Sequence, residues 1–313
     1  MTHPGIELCG ATVYDAVTDG AVHADAICAL NERFPASAAV TAIMDLTVEA
    51  EAFGASVRFS QDDIPAVTGR LLTGPESVRD LAVPGLDCGR VGEYLKANRL
   101  VASRISDKPV YGGCIGPFSL AARLYDISEF MMALYLDTDT ACLLLEKCTE
   151  FIIRYVSAMK EAGIDGVIVA EPAAGLVSND DCYAYSSVYV RKIVDAVQDS
   201  SFKVILHNCG NMGQCTDAMV RSGAAALHFG NRTDMVQALK ECPSDLEVMG
   251  NIDPVGIFRQ GSPETVRDAT RTLLEATSEY PNFVLSSGCD IPPHTPMENI
   301  AAFYEALEEY NSK

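Results

Sequence analysis

The sequence has no run of lysines and arginines, no long apolar stretch and no glycine-rich phosphate loop, and each absence removes a class of function. Basic residues number 23 against 43 acidic ones, a formal charge of −20. Such a chain repels phosphate backbones, so nucleic-acid binding is disfavoured. No apolar run reaches the roughly 18 residues of a membrane span, and residues 1–19 have neither a basic start nor a hydrophobic signal core. No membrane attachment and a cytoplasmic location are therefore expected. Neither G-x-G-x-x-G after an early strand nor G-x-x-x-x-G-K-[ST] occurs, which removes the dinucleotide and P-loop cradles. Linkers rich in Pro, Ser or Gly, low-complexity tracts and fixed-period repeats are also missing, so one domain over 1–313 is the simpler reading. The 11 cysteines are odd in number and scattered, as expected of reduced thiols rather than a disulfide framework. Cys142, Cys148 and Cys182 fall in helical patterns, where a free cysteine serves as a small hydrophobe.

What the chain does contain is an alternation of short β-rich apolar runs with longer amphipathic stretches, the pattern of βα units. Strands are expected near 39–45, 56–60, 109–116, 166–171, 203–209, 224–230, 247–253 and 283–289. Among the helices, Leu144, Cys148, Phe151, Ile152, Tyr155 and Met159 recur at spacings of three and four, ending at the candidate C-cap Gly163. The final helix is expected to start at an N-cap Thr295 with Pro296 and Glu298 behind it. Eight strands buried on both faces favour an α/β fold of the (β/α)8 TIM-barrel type over an open doubly wound sheet. Residues 1–35 would form a helical N-terminal cover on it.

In such barrels the chemistry gathers at the C-terminal ends of the strands. The expected ends carry Asp45, Gly116, Glu171, His207 with Cys209, His228, Asp253 and Cys289. In Val204-Ile205-Leu206-His207-Asn208-Cys209-Gly210 a histidine and a cysteine stand two apart at a strand end, so both side chains point the same way, as two ligands of one ion require. That pair alone is a common coincidence. Cys289, in Leu285-Ser286-Ser287-Gly288-Cys289-Asp290, changes its weight, because residues at different strand ends of one mouth can reach a shared ion. Two cysteines and one histidine give zinc three protein ligands and leave a fourth position open, the arrangement of a catalytic site. An electron-rich Cys2His set favours alkyl transfer to a bound sulfur over hydrolysis.

With these residues in view, the sequence resembles the uroporphyrinogen decarboxylase superfamily, and within it the zinc-dependent methylcobamide:coenzyme M methyltransferase branch. The resemblance spans most of the chain. It is carried by Met44-Asp45-Leu46-Thr47-Val48-Glu49-Ala50 with Phe53-Gly54, then Gly116-Pro117-Phe118, Ala170-Glu171-Pro172, His207-Asn208-Cys209-Gly210, Gly250-Asn251-Ile252-Asp253-Pro254 and Ser287-Gly288-Cys289-Asp290-Ile291-Pro292. It implies a barrel that takes a methyl group from a methylated corrinoid protein and gives it to a thiol, with His207, Cys209 and Cys289 as zinc ligands. Decarboxylases of this superfamily grip their substrate with an arginine-rich N-terminal segment, whereas residues 1–31 here hold no Arg or Lys. No sulfonate-binding motif stands out, so coenzyme M, another thiol and tetrahydrofolate stay open as acceptors. A non-catalytic corrinoid-binding barrel with a structural zinc is the contrasting reading, and the lack of an obvious fourth Cys or His beside the three argues against it.

The remaining candidates each carry two readings. Glu171 is a buried carboxylate supporting the ligands or a displaceable fourth ligand. Asp253, and similarly Asp45, orients a ligand or simply starts a turn and helix. His228 is a wall residue or a substrate contact, and His294 belongs to a loop. Gly112, Gly113 and Gly116 permit close backbone approach at the mouth, or admit the corrinoid ring.

Overall fold

The computed structural model describes residues 3–312. Nine strands occur among them: β1 Val40–Thr41, β2 Val57–Arg58, β3 Ala66–Val67, β4 Val110–Ile115, β5 Gly166–Ala170, β6 Lys203–Asn208, β7 Ala226–Phe229, β8 Glu247–Ile252 and β9 Phe283–Ser287. Seven form one parallel sheet in the order β1-β4-β5-β6-β7-β8-β9. That order never reverses, so the sheet has no switch point of the kind that defines a doubly wound fold. Parallel strands wound in one direction carry their crossover helices on one face, and curling of the sheet buries the other.

The curl can be measured from three side chains at the strand ends. Strands lie about 4.8 Å apart, so three spacings would separate the ends of β6 and β9 by ~14 Å in a flat sheet. The ligand atoms of His207, Cys209 and Cys289 nevertheless lie within 4.8 Å of one another.

The expected strand at 56–60 is corrected by the structure. Val57–Arg58 pairs antiparallel with Ala66–Val67, outside the parallel sheet. The physical reason is in the run Ser-Val-Arg-Phe-Ser itself: it alternates polar and apolar, with Val57 and Phe59 half-buried and the others exposed. Strands covered on both faces are apolar at nearly every position, as in β6, where Val204–Leu206 and His207 are all buried. Seven ladder strands are thus present where eight were expected. The first is also shorter than expected, although Ala42 N–H still donates to the Tyr111 carbonyl at 2.9 Å.

The long helix Thr138–Glu161 buries the stripe read from its periodicity, and Gly163, at φ +94°, provides the left-handed residue that ends it. The last helix, Met297–Asn311, begins one residue later than its sequence suggests, with Pro296 at the N-cap. Thr295 does not cap it, because its hydroxyl donates to the Pro292 carbonyl at 2.8 Å. Helices His3–Leu8, Val13–Thr18 and Gly20–Arg33 precede β1. The last of them abuts helix Val91–Arg104 closely enough that a Cβ on Gly20 would stand 2.2 Å from the Glu93 carbonyl oxygen. It also buries His23, whose Nε2 accepts from Ile43 N–H at 2.9 Å. No described helix is long and apolar enough to cross a membrane. All 11 cysteines are free thiols.

Candidate metal centre

His207 is the penultimate residue of β6. Asn208 then turns the chain, its Oδ1 accepting from the N–H groups of Gly210 and Asn211, both at 3.0 Å. This Asx turn presents Cys209 beside His207. Cys289 arrives on the loop after β9. Gly230, in the loop after β7, lies between the two approaches: a Cβ there would fall 2.8 Å from Cys209 Cα, and one on Gly288 would fall 2.5 Å from Asn231 N. The two glycines let three loops stack where side chains would hold them apart. Asn251 of β8 fixes the middle loop, donating from Nδ2 to the carbonyls of Gly230 at 2.9 Å and Thr233 at 2.7 Å.

His207 and His228 face each other in register on neighbouring strands. Their Nδ1 atoms are 2.7 Å apart, and His207 Nδ1 also lies 3.2 Å from the His228 carbonyl oxygen. A carbonyl can only accept, so the proton sits on His207 Nδ1. The His228 Nδ1 then accepts, and its Nε2–H donates to Ser286 Oγ at 3.1 Å. Burial, reinforced by the neighbouring His207, holds His228 well below the usual imidazole range and keeps that acceptor lone pair available.

This chain of bonds leaves His207 Nε2 as the free nitrogen. It is buried and without a hydrogen-bond partner among the described residues, an expensive condition unless something ligates it. The Cys209 and Cys289 sulfurs lie within 4.8 Å of that nitrogen and of each other. Cys209 is drawn down to about 7 because Cys289 donates to it, while making that bond to Cys209, together with burial, pushes the Cys289 thiol up. A buried neutral nitrogen and a thiolate–thiol pair of this kind suit a soft divalent ion.

The other expected site residues are occupied elsewhere. Glu171 is buried with both oxygens engaged: Oε1 accepts from Phe118 N–H at 2.9 Å and Ser186 Oγ at 3.2 Å, and Oε2 from Ser119 N–H at 2.8 Å. It thereby closes the N-terminus of helix Pro117–Tyr125. Burial still raises it to about 7. Gly116 provides the room for it, since a Cβ there would lie 2.3 Å from the Glu171 carboxyl carbon. The space expected to admit a corrinoid ring at Gly116 is filled by that carboxyl. Asp253 starts a helical turn, Oδ1 accepting from Val255 and Gly256 N–H at 2.9 Å. Asp45 is buried in a network with Arg90 at 2.5 Å, Tyr94 at 3.0 Å and Thr47 at 2.7 Å. Ser286, Asn251, Gly230 and Gly288 carry no signal by residue type, and only the register of β6 to β9 shows what they do; Arg90, at the start of helix Val91–Arg104, is recognised only by its bond to Asp45.

The uroporphyrinogen decarboxylase (URO-D) family model matches residues 5–310, and the chain belongs to that family. Within it, the chain is 32% identical over 276 residues to a methylcobamide:CoM methyltransferase of Methanosarcina mazei, covering 87% of this chain and 80% of that protein. A uroporphyrinogen decarboxylase of Serratia proteamaculans is 26% identical over 293 residues, 90% and 81% of the two chains. The solved structure of a methyltransferase from Methanosarcina mazei superposes with a TM-score of 0.89 at 28% identity, covering 98% of this chain and 91% of that one.

Proposed function

We propose that this protein is a zinc-dependent methyltransferase that moves a methyl group from a methylated corrinoid protein to a thiol. The observation carrying the reading is the buried, unpartnered His207 Nε2 with the Cys209 and Cys289 sulfurs, all within 4.8 Å of one another. The methylcobamide:CoM methyltransferase relatives support coenzyme M, or a thiol like it, as acceptor. Tetrahydrofolate, open from the sequence, gains no support from them. The superposition with a methyltransferase supports a barrel of the (β/α)8 type over 1–313, and helices His3–Leu8, Val13–Thr18 and Gly20–Arg33 ahead of β1 support residues 1–35 as its cover. The free thiols fit a cytoplasmic setting.

When bound, a zinc ion supplies the positive charge that keeps an acceptor thiol deprotonated near neutral pH. His207 Nε2, Cys209 Sγ and Cys289 Sγ would hold it. Two thiolates leave the acceptor sulfur electron-rich. In the transfer, the acceptor thiolate would bond to the methyl carbon as the carbon–cobalt bond of the donor breaks, the electron pair of that bond staying with the corrinoid. His228 and Ser286 keep the proton on His207 Nδ1, so that the ligating nitrogen stays bare. Glu171, Asp253 and Asp45 hold the surrounding loops, and Gly116 accommodates Glu171. Porphyrinogen decarboxylation is disfavoured, because residues 1–31 hold no cationic clamp for an acidic substrate.

The test is zinc content per chain together with thiol-dependent demethylation of methylcobalamin, in the wild type, Cys209→Ala and Cys289→Ala. We expect about one zinc in the wild type, lost with the activity in either variant or on chelation. A metal-free wild type, or demethylation that survives both substitutions, would overturn the reading.

A further inference from the structure

Helix Ile127–Leu136, Ile-Ser-Glu-Phe-Met-Met-Ala-Leu-Tyr-Leu, is apolar almost all the way round. Phe130, Ala133 and Leu134 point inward. The opposite half stands in solvent, with Ile127 41%, Met132 49%, Tyr135 66% and Leu136 83% exposed. A helix apolar on every side is normally buried on every side. Ile127 also borders a pocket of about 270 Å³ with Ala122, Arg123, Pro172, Ala173 and Leu176. Leu176 is 65% exposed on its far rim, and Arg123 makes no hydrogen bond or ion pair with the described residues. The helix thus exposes apolar side chains beside a pocket that includes the half-buried Arg123, and exposed surfaces of this composition mark contact sites.

The surface borders the metal centre. The wall Pro172–Leu176 touches the ligand loop directly: a Cβ on Gly210 would lie 2.3 Å from the Pro172 carbonyl oxygen, and one on Gly175 would lie 2.1 Å from Gly210 C. Gly210 follows Cys209. The rim is acidic, with Asp126, Glu129, Asp139 and Asp180 exposed around the apolar centre, and Arg70 only loosely paired with Glu129 at 3.7 Å.

We infer that this face is the docking surface for the protein that carries the methylated corrinoid, a partner with an apolar centre and a basic rim. The inference rests on the methyltransferase reading, since a carrier must settle around the mouth that holds the metal. A second copy of this chain fits less well. A two-fold contact would set the same acidic rim against itself, and like charges facing each other oppose association.

The experiment is calorimetric titration of the full, zinc-loaded chain with a purified methylated corrinoid protein from the same organism, comparing the wild type with Leu136→Lys and Met132→Lys. Both positions are exposed, so the variants fold. We expect a one-to-one complex that weakens on raising salt to about 0.3 M, and affinity reduced about ten-fold or more in each variant. Demethylation of free methylcobalamin should be unchanged in both. No binding by the wild type, binding unaltered in both variants, or a wild-type dimer that the substitutions split would overturn the inference. If the wild type fails to demethylate free methylcobalamin, the methyltransferase reading fails, and the calorimetry still decides whether the carrier binds this face.

Discussion

Replacing His228 with phenylalanine separates the ligand from what positions it. The ring would still pack against His207, now 4.7 Å away between centroids, but His207 Nδ1–H would lose the acceptor at 2.7 Å and keep only the His228 carbonyl at 3.2 Å. Removing the partner that orients a ligating histidine costs roughly ten- to a hundred-fold in metal affinity. Because the carbonyl remains, the lower end applies, about ten-fold or ~1.4 kcal/mol. Ser286→Ala removes only the far end of the chain of bonds, so its effect should be smaller, about two-fold. Zinc affinity, measured by competition with a chromophoric chelator, reads this out, and the melting temperature of the metal-free proteins serves as control. A His228→Phe variant that binds zinc within about two-fold of the wild type would refute the reasoning. So would a Ser286→Ala variant that binds worse than His228→Phe.

Two further outcomes follow from the same structure. Glu49 is buried, accepts from Ile115 N–H at 3.0 Å and is held up to about 8 chiefly by burial. A carboxyl raised in the folded state contributes stability that is complete below its ordinary value of 4.5 and is lost as pH rises through 8. Glu49→Gln should therefore flatten the decline in unfolding free energy between pH 5 and pH 8.5, by at most about 5 kcal/mol, read from denaturant melts across that range; identical pH profiles for the two proteins would show that burial does not hold the proton on Glu49. Gly230→Ala should place its Cβ against Cys209, costing about 1–3 kcal/mol of stability and weakening zinc binding. A variant that melts and binds zinc like the wild type would show that the loops have slack.

The candidate metal residues are legible in the sequence because their signal is local. Period two predicts His207 and Cys209 on one side, and the Asx turn after β6 delivers the same result; Cys289 lies two residues past β9, a strand recognisable by its apolar run. The supporting residues have no such signal. His228 and Ser286 act through a register that sets β7 beside β6 and brings β9 across β8. Neither residue differs in type from an ordinary wall histidine or serine. Glu171 shows the opposite failure. Its apolar context correctly announced a buried carboxylate at a strand end, but residue type could not reveal that the N-terminus of the helix after β4 would claim both oxygens. At 56–60 the alternation in Ser-Val-Arg-Phe-Ser marks a ribbon open on one side rather than a strand buried on two.

The dependence of the site on curvature ties these levels together. His207, Cys209 and Cys289 can meet only if three strand spacings of ~14 Å are folded into a contact, and the loops at the mouth can stack only because residues 230 and 288 lack a Cβ. A barrel of this family could keep every strand and lose the centre by gaining a methyl group at either position. The three ligands are thus insufficient evidence for a metal site when read alone. Together with Gly230 and Gly288 they describe a mouth closed tightly enough to leave a buried imidazole nitrogen with no partner, and that unsatisfied nitrogen is the feature a bound ion would answer.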